Sequence, residues 1–177
     1  MEEKDLKSKR GESEKWYAVY TRPRAEKQAA ARLAEAGIEV FLPLQKTIRH
    51  WSDRKKIVEK PLLSSYIFVR VKRKQFPSVY RTYGIVKFVT FEGSPVPIPR
   101  SQIDNLRLLV NSDAEIEVNS EKYEPGDRVE VASGSLAGLQ GELIGKGRGK
   151  RMIIRLDEIG KNIIVKIPVT FLVKIKA

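Results

Sequence analysis

The side chains that most often carry catalysis are nearly missing from this chain of 177 residues. It has one histidine, His50, and no cysteine. A two-histidine metal site, a thiolate nucleophile and a disulfide are therefore excluded, and a serine triad would rest on His50 alone. His50 sits beside Trp51 in a basic stretch, where a solvated or packed loop histidine is the simpler reading. The segment GKGRGK at 145–150 is glycine-rich and basic, yet it lacks the spacing and the terminal Lys-Ser/Thr of a phosphate loop and reads as a turn between strands. Asp157-Glu158 is an acid pair in a loop with no evident partner. No acid, base and nucleophile come together, no cofactor is called for, and the chain reads as a non-enzyme.

What remains is charge. Lys and Arg number 34 against 22 Asp and Glu, a net +12. Residues 1–15 balance five basic with five acidic residues, residues 16–112 carry 18 basic and 7 acidic, and residues 113–177 carry 11 and 10. An excess confined to one block suits a polyanion, whereas a charged surface kept for solubility would spread it. The first 15 residues read as a disordered tail; they have no apolar core and do not resemble a signal peptide. No apolar run of about 18 residues suggests a membrane span, so a cytoplasmic chain with no membrane partner is expected.

The elements that must position these charges can be read from periodicity. Trp16–Tyr20 is aromatic and β-branched, a strand. Thr21 can cap a helix with Pro23 in its first turn, running through AEKQAAARLAEA to a stop at Gly37. Glu39–Ile48 reads as a strand with an edge or bulge at Pro43, and Arg49–Lys60 as a basic excursion turning at Ser52-Asp53. Leu62–Val71 is an apolar strand. Phe76, Val79, Tyr80 and Tyr83 follow at helical spacing, stopped by Gly84, and Ile85–Phe91 is another strand. Ser101 can cap a third helix, with Asp104 three residues on and Ile103, Leu106, Leu109 and Val110 on its apolar face. Residues 111–124 are polar and read as a linker. Short strands then follow at 128–132, 142–145, 152–156, 163–167 and 171–175, the pattern of a small barrel. Gly134, Gly138 and Gly141 punctuate its first loop. The predicted fold is α+β, helices on an antiparallel sheet, followed by an all-β barrel.

With these elements in order, the chain resembles the NusG family, and its specialised RfaH- and UpxY-type paralogues more than the general factor. The residues that carry the resemblance are WYAVYTRPRAEKQ at 16–28, GIEVFLPL at 37–44, KPLLSSYIFVRV at 60–71, GIVKFVTF at 84–91 and the KOW motif GDRVEVASGSLAGLQGELIG at 126–145. Together they span residues 16–177. The resemblance implies a ferredoxin-like NGN domain at 16–112 that binds RNA polymerase and DNA, a linker at 113–124, and an SH3-like KOW domain at 125–177 that docks protein partners.

It also implies sites. Tyr20, Leu63, Tyr66 and Phe68 match positions that grip the clamp helices of RNA polymerase. Such a grip needs an exposed apolar groove; read from residues alone, the same strand fits ordinary core packing. Where relatives have Pro-Gly or Pro-Asn before the tyrosine, this chain has Ser64-Ser65. Arg22 and Arg32, with Arg24 beside them, match positions that contact the non-template DNA strand, and Thr82 and Tyr83 match the end of the second helix facing that strand. Tyr83 could stack a base or close its helix against the sheet. Lys46, Arg49, Arg54, Lys55, Lys56 and Lys60 form a second basic cluster, which on a protruding hairpin could touch upstream DNA or polymerase or be a solvated face. Leu136 and Ile159 match loop positions that contact a small-subunit ribosomal protein or the termination factor Rho; Ile159, flanked by Asp157, Glu158 and Gly160, reads as an exposed apolar tip or as a cap of the barrel. The implied function is a monomeric, non-catalytic elongation and antitermination factor, operon-specific and of the polysaccharide-locus type. A ribosome-associated or RNA-binding KOW protein is the alternative, and it would place the excess charge after residue 112.

Overall fold

A computed structural model describes residues 12–50, 55–122, 124–144 and 151–175. The expected tail up to Gly11, the turn at Ser52-Asp53 with Trp51 and Arg54, and the GKGRGK loop lie outside the described residues. In chain order the elements are β1 (Lys15–Thr21), α1 (Glu26–Glu35), β2 (Glu39–Phe41), β3 (Leu44–His50), β4 (Lys55–Pro61), β5 (Tyr66–Val71), α2 (Phe76–Arg81), β6 (Ile85–Phe88), β7 (Thr90–Phe91), β8 (Ser94–Pro95), β9 (Pro97–Ile98) and α3 (Arg100–Val110). After these come β10 (Ile116–Asn119), β11 (Asp127–Val131), β12 (Gln140–Ile144), β13 (Arg151–Leu156), β14 (Lys161–Val165) and β15 (Leu172–Lys174). Packing divides the chain into two compact units, Met1–Leu42 with Ser65–Ile98, and Pro43–Ser64 with Pro99–Ala177.

The first unit is an antiparallel sheet ordered β2-β5-β1-β6, with β9 also paired to β1. Two helical crossovers on this strand order make the ferredoxin-like pattern. Alternation along β1 and β5 sends Tyr17, Val19, Ile67, Val69 and Val71 to one face. There they join Ala29 and Leu33 of α1 and Val79 of α2 in one buried cluster. Tyr17, Phe76 and Phe88 lock together within it, with ring centroids 4.5–5.9 Å apart. The other face, carrying Trp16, Ala18, Tyr66 and Phe68, is buried as well. Gly37 ends α1 with φ +75°. Its N–H reaches Ala34 and that of Ile38 reaches Leu33, a Schellman cap that satisfies two carbonyls left open by the helix.

Several boundaries differ from expectation, each for a local reason. Thr21 does not cap α1. It is the last residue of β1, paired with Ile85, and α1 starts at Glu26 with no side-chain cap. The turn Arg22–Ala25 intervenes, closed by Ala25 N–H on the Arg22 carbonyl at 3.0 Å, with Pro23 second and Arg24 third at φ +64°. The Glu39–Ile48 strand is broken at Leu42-Pro43 into β2 and β3. β5 starts only at Tyr66, because Ser65 takes φ +64° and ends the extended run. α2 stops at Arg81, where Thr82 turns extended with ψ 123°, so Tyr83 is outside the helix. Val89 separates β6 from a small β7–β8 hairpin. α3 opens at Arg100 behind Pro99 with no side-chain cap, and Asp104 instead faces Arg100 and Arg107 at 3.7 and 3.5 Å. Glu12 and Glu14, at the end of the expected tail, lie 3.5 and 3.8 Å from Arg73 and Arg70.

The second unit holds the β3–β4 hairpin, α3 and an antiparallel sheet ordered β10-β14-β13-β12-β11-β15. β10 falls inside the polar segment expected to be a linker; it pairs Ile116–Asn119 with Val165–Asn162. Val and Ile at 129, 131, 153, 154, 163, 164 and 165 are all buried in strands, as their β-propensity favours. Gly141 is required by space, since a Cβ there would sit 2.5 Å from the Ile153 carbonyl oxygen. The Glu142 carboxylate holds Arg155 at 3.0 Å and accepts the Gly126 N–H at 3.2 Å, fixing the entry to β11. No helix among the described residues is long and apolar enough to cross a membrane.

The role of Thr21 is testable. Its hydroxyl is buried and makes no hydrogen bond among the described residues. Thr21→Val should leave stability unchanged or raise it by about 1 kcal/mol, because an unpaired hydroxyl is removed. A capping threonine would instead lose about 1 kcal/mol. Urea denaturation separates the two.

Candidate functional site

The C-terminal end of β1 gathers the candidate residues of the first unit. A bulge between Tyr20 and Thr21 shifts the register against β6. Beyond it, the Thr21 N–H donates to Ser65 at 2.9 Å and the Arg22 N–H to Gly84 at 2.8 Å. The end of β1 is thus tied to the connection before β5 and to the one before β6.

Arg22, in the turn after β1, and Arg32, in the last turn of α1, converge on Tyr83. Their guanidinium carbons lie 5.2 and 4.8 Å from the ring centroid, within cation–π range. Arg32 also donates to the Tyr83 carbonyl at 3.3 Å. Tyr83 is 60% exposed. It therefore does not close its helix against the sheet; α2 ends two residues before it. Thr82 donates its hydroxyl to the Ser78 carbonyl at 3.0 Å, so it finishes α2. Arg24 is exposed on the adjoining turn. Two planar cations and an open aromatic ring on one surface can pair with phosphate and stack with a planar base.

The apolar set is placed differently. Leu63, Tyr66 and Phe68 are buried, and Tyr20 is half-buried. Of these four side chains only Tyr20 is part open, where an exposed apolar groove was expected. Tyr66 donates its hydroxyl to that of Tyr20 at 2.9 Å, and the rings lie 4.6 Å apart. The Lys87 ammonium stands 5.6 Å over the Tyr20 ring. Phe68 stacks with Phe41 at 6.2 Å. Neither Lys87 nor Phe41 stood out in the sequence; only the pairing of β1 with β6, and of β2 with β5, reveals them.

The Ser64-Ser65 departure also has an explanation. Ser65 occupies the left-handed region that favours Gly or Asn. Its N–H donates at 2.8 Å to the buried carboxylate of Glu26, at the start of α1. A charge-assisted bond from the first helical turn offsets the conformational cost of serine there.

In the second unit, Leu136 and Ile159 are both buried, 6% and 7% exposed. Of the two readings open for Ile159, an exposed tip or a cap of the barrel, its burial fits the cap: the 3₁₀ turn Asp157–Ile159 directs it inward before Gly160. Leu136 lines a depression of about 280 Å³ with Val131, Ile167 and Phe171. Phe171, 42% exposed in the 3₁₀ turn before β15, and Val173, 47% exposed in β15, are the large apolar side chains left open among the described residues of this unit's sheet and its turns; neither was singled out as a site from sequence.

Burial, and then the hydrogen bond to Tyr20, push the Tyr66 hydroxyl above its ordinary pKa of 10.0. The folded state therefore holds this proton more tightly than the unfolded chain. Its contribution to stability is complete below the unfolded pKa and falls as pH rises beyond about 10. Spectrophotometric titration should show one tyrosine resisting ionisation until the protein unfolds, and Tyr66→Phe should remove that part of the alkaline destabilisation.

The family model for NusG, transcription termination factor, matches residues 14–107. The chain is 25% identical over 169 residues to the transcription termination/antitermination protein NusG of Rickettsia prowazekii (strain Madrid E), with 88% of each chain covered. The same figures hold for the protein of that name in Rickettsia typhi (strain ATCC VR-144 / Wilmington). A solved structure, "Domain interaction in Thermotoga maritima NusG", is similar with 20% identity and a TM-score of 0.49, over 92% of this chain and 98% of that one. On the match of more than half its length to the family model, the chain belongs to the NusG family of transcription factors, which are not enzymes.

Proposed function

We propose that this protein is an elongation and antitermination factor of the operon-specific, polysaccharide-locus type. It rides on RNA polymerase through residues 16–112 and recruits partners through residues 125–177. The observation that carries the proposal is the open Arg22–Tyr83–Arg32 stack. With Arg24 and Thr82 alongside, it offers charge and a stacking plane to the non-template DNA strand. The sheet face with Tyr20, Tyr66 and Phe68 meets the clamp helices through the half-buried ring of Tyr20. Beside Leu136, the open Phe171 supplies the apolar contact for a small-subunit ribosomal protein or Rho.

Two measurements test this reading. Tyr20→Ala, which touches only a half-buried ring, should fold and lower recovery of polymerase in a pull-down about tenfold; full recovery by the folded variant would remove the docking assignment. Arg22→Ala combined with Arg32→Ala should weaken binding to single-stranded DNA and flatten the log-log salt dependence by about 1.4, at about 0.7 for each phosphate neutralised. An unchanged slope would remove these arginines from the DNA site.

A further inference from the structure

β10 is the outermost strand of the second unit's sheet, and it is contributed by the polar segment that precedes the other five strands. It runs antiparallel to β14, with Ile116 opposite Val165, Glu117 opposite Ile164, Val118 opposite Ile163 and Asn119 opposite Asn162. The two strands are unlike. In β14 every residue after Lys161 is buried, whereas β10 is half-buried at Ile116, Val118 and Asn119 and open at Glu117. Each end of β10 closes on itself. The Ser112 hydroxyl accepts the Ala114 N–H at 3.3 Å before the strand, and the Asn119 side chain accepts the Glu121 N–H at 3.2 Å after it. Such local turns form with or without the strand between them. Further on, Arg155 donates to the Glu124 carbonyl at 3.1 Å, so the entry to β11 is anchored independently of β10.

We infer that β10 is a releasable strap, laid along an edge of β14 that takes an extended segment of a partner protein, apolar at alternate positions. The strap is lightly held. Its ladder is four residues long, and two contacts at its flanks are at the surface: Lys166 meets Glu115 at 2.7 Å, and Lys161 donates to the Ser120 hydroxyl at 2.9 Å. Exposed pairs of this kind add little, and short, half-buried elements open at the low end of local stability. The edge beneath is of another kind. Ile163 and Val165, opposite Val118 and Ile116, are fully buried. Asn162 is buried as well, and its side chain donates to the Glu121 carbonyl at 2.7 Å. Apolar positions two apart, a row of backbone groups and one buried amide directed at a backbone carbonyl call for an extended occupant in a fixed register, and a helix cannot satisfy them. Left bare, such an edge would invite unselective pairing. A partner strand must therefore displace β10, and its apparent affinity is reduced by the fraction of time that the edge is free.

The experiment is fluorescence anisotropy of the full chain with a labelled peptide that copies residues 113–121. Ile116→Asp with Val118→Asp removes the apolar pair of the strap. This variant should bind the peptide about a hundredfold more tightly than the unaltered chain, whose own β10 competes at an effective concentration in the millimolar range. A peptide carrying Asp at the same two positions should bind neither. Ile116→Cys with Val165→Cys locks the strap, since opposed residues of antiparallel strands lie within disulfide reach and the chain has no other cysteine. Oxidised, this variant should bind no peptide, and reduction should restore the level of the unaltered chain. Hydrogen exchange of the unaltered chain should show residues 116–119 exchanging at least about tenfold faster than β13. Thermal unfolding verifies that each variant folds. The inference is overturned by a folded strap variant that gains no affinity, by peptide binding that survives the disulfide, by β10 and β13 exchanging together, or by peptide binding that tracks dimers in sedimentation, which would make β10 an element exchanged between copies of the chain.

Discussion

The end of β1 is held by two backbone hydrogen bonds, Thr21 to Ser65 and Arg22 to Gly84, and the arrangement of the first unit follows from them. A central strand has neighbours on both sides, so its last residues cannot move without dragging both connections. The bulge at Tyr20/Thr21 re-aims the chain at this point. Tyr20 is left against Tyr66, and Arg22 is swung towards Tyr83. The Tyr20–Tyr66 pair and the Arg22–Tyr83–Arg32 set therefore sit at one end of the first unit's sheet. Glu26 reinforces the same junction from the helix side through the Ser65 N–H.

The two candidate cation sets use charge differently. Around Tyr83 the guanidinium groups are already organised by a ring and a carbonyl. Little side-chain entropy remains to be lost when an anion arrives, and arginine's planar fork suits both phosphate and base. The hairpin lysines have no such partners among the described residues. They act as hydrated point charges, with attraction that is long-ranged, salt-sensitive and indifferent to detail. A positioned cage gives selectivity; a lysine-lined ribbon gives attraction.

Much of this was legible in the sequence because it is periodic. Alternation in WYAVY and YIFVRV, the 3.6-residue spacing of Ile103, Leu106 and Leu109, and the Val/Ile-rich segments after residue 126 each specify an element and its buried face. Pairs distant in the chain were not legible. Tyr83 looked as much like helix core as like a stacking ring, because nothing local says that Thr82 turns extended. Ile159 could be read as an exposed tip or as a cap of the barrel because its neighbours are polar, and only the 3₁₀ turn Asp157–Ile159 decides for the buried reading. The glutamate that makes Ser65 tolerable lies 39 residues away. The strand in the polar segment at 116–119 was hidden because its apolar residues, Ile116 and Val118, are too few to register without their partner β14.

The two-stranded β3–β4 hairpin has one further consequence. A hairpin that pairs only with itself leaves a row of amides and carbonyls along each outer edge. Such edges invite another strand, from the same protein or any other, and the opposed Ile48 and Ile57 would strengthen that invitation. Lysines on such edges, here Lys46 on β3 and Lys55, Lys56 and Lys60 on β4, are a common natural deterrent, because a second copy would bring like charges together. Here that deterrent is set among two exposed isoleucines. The cationic character of this ribbon thus also keeps the folded chain from polymerising through its own open edges.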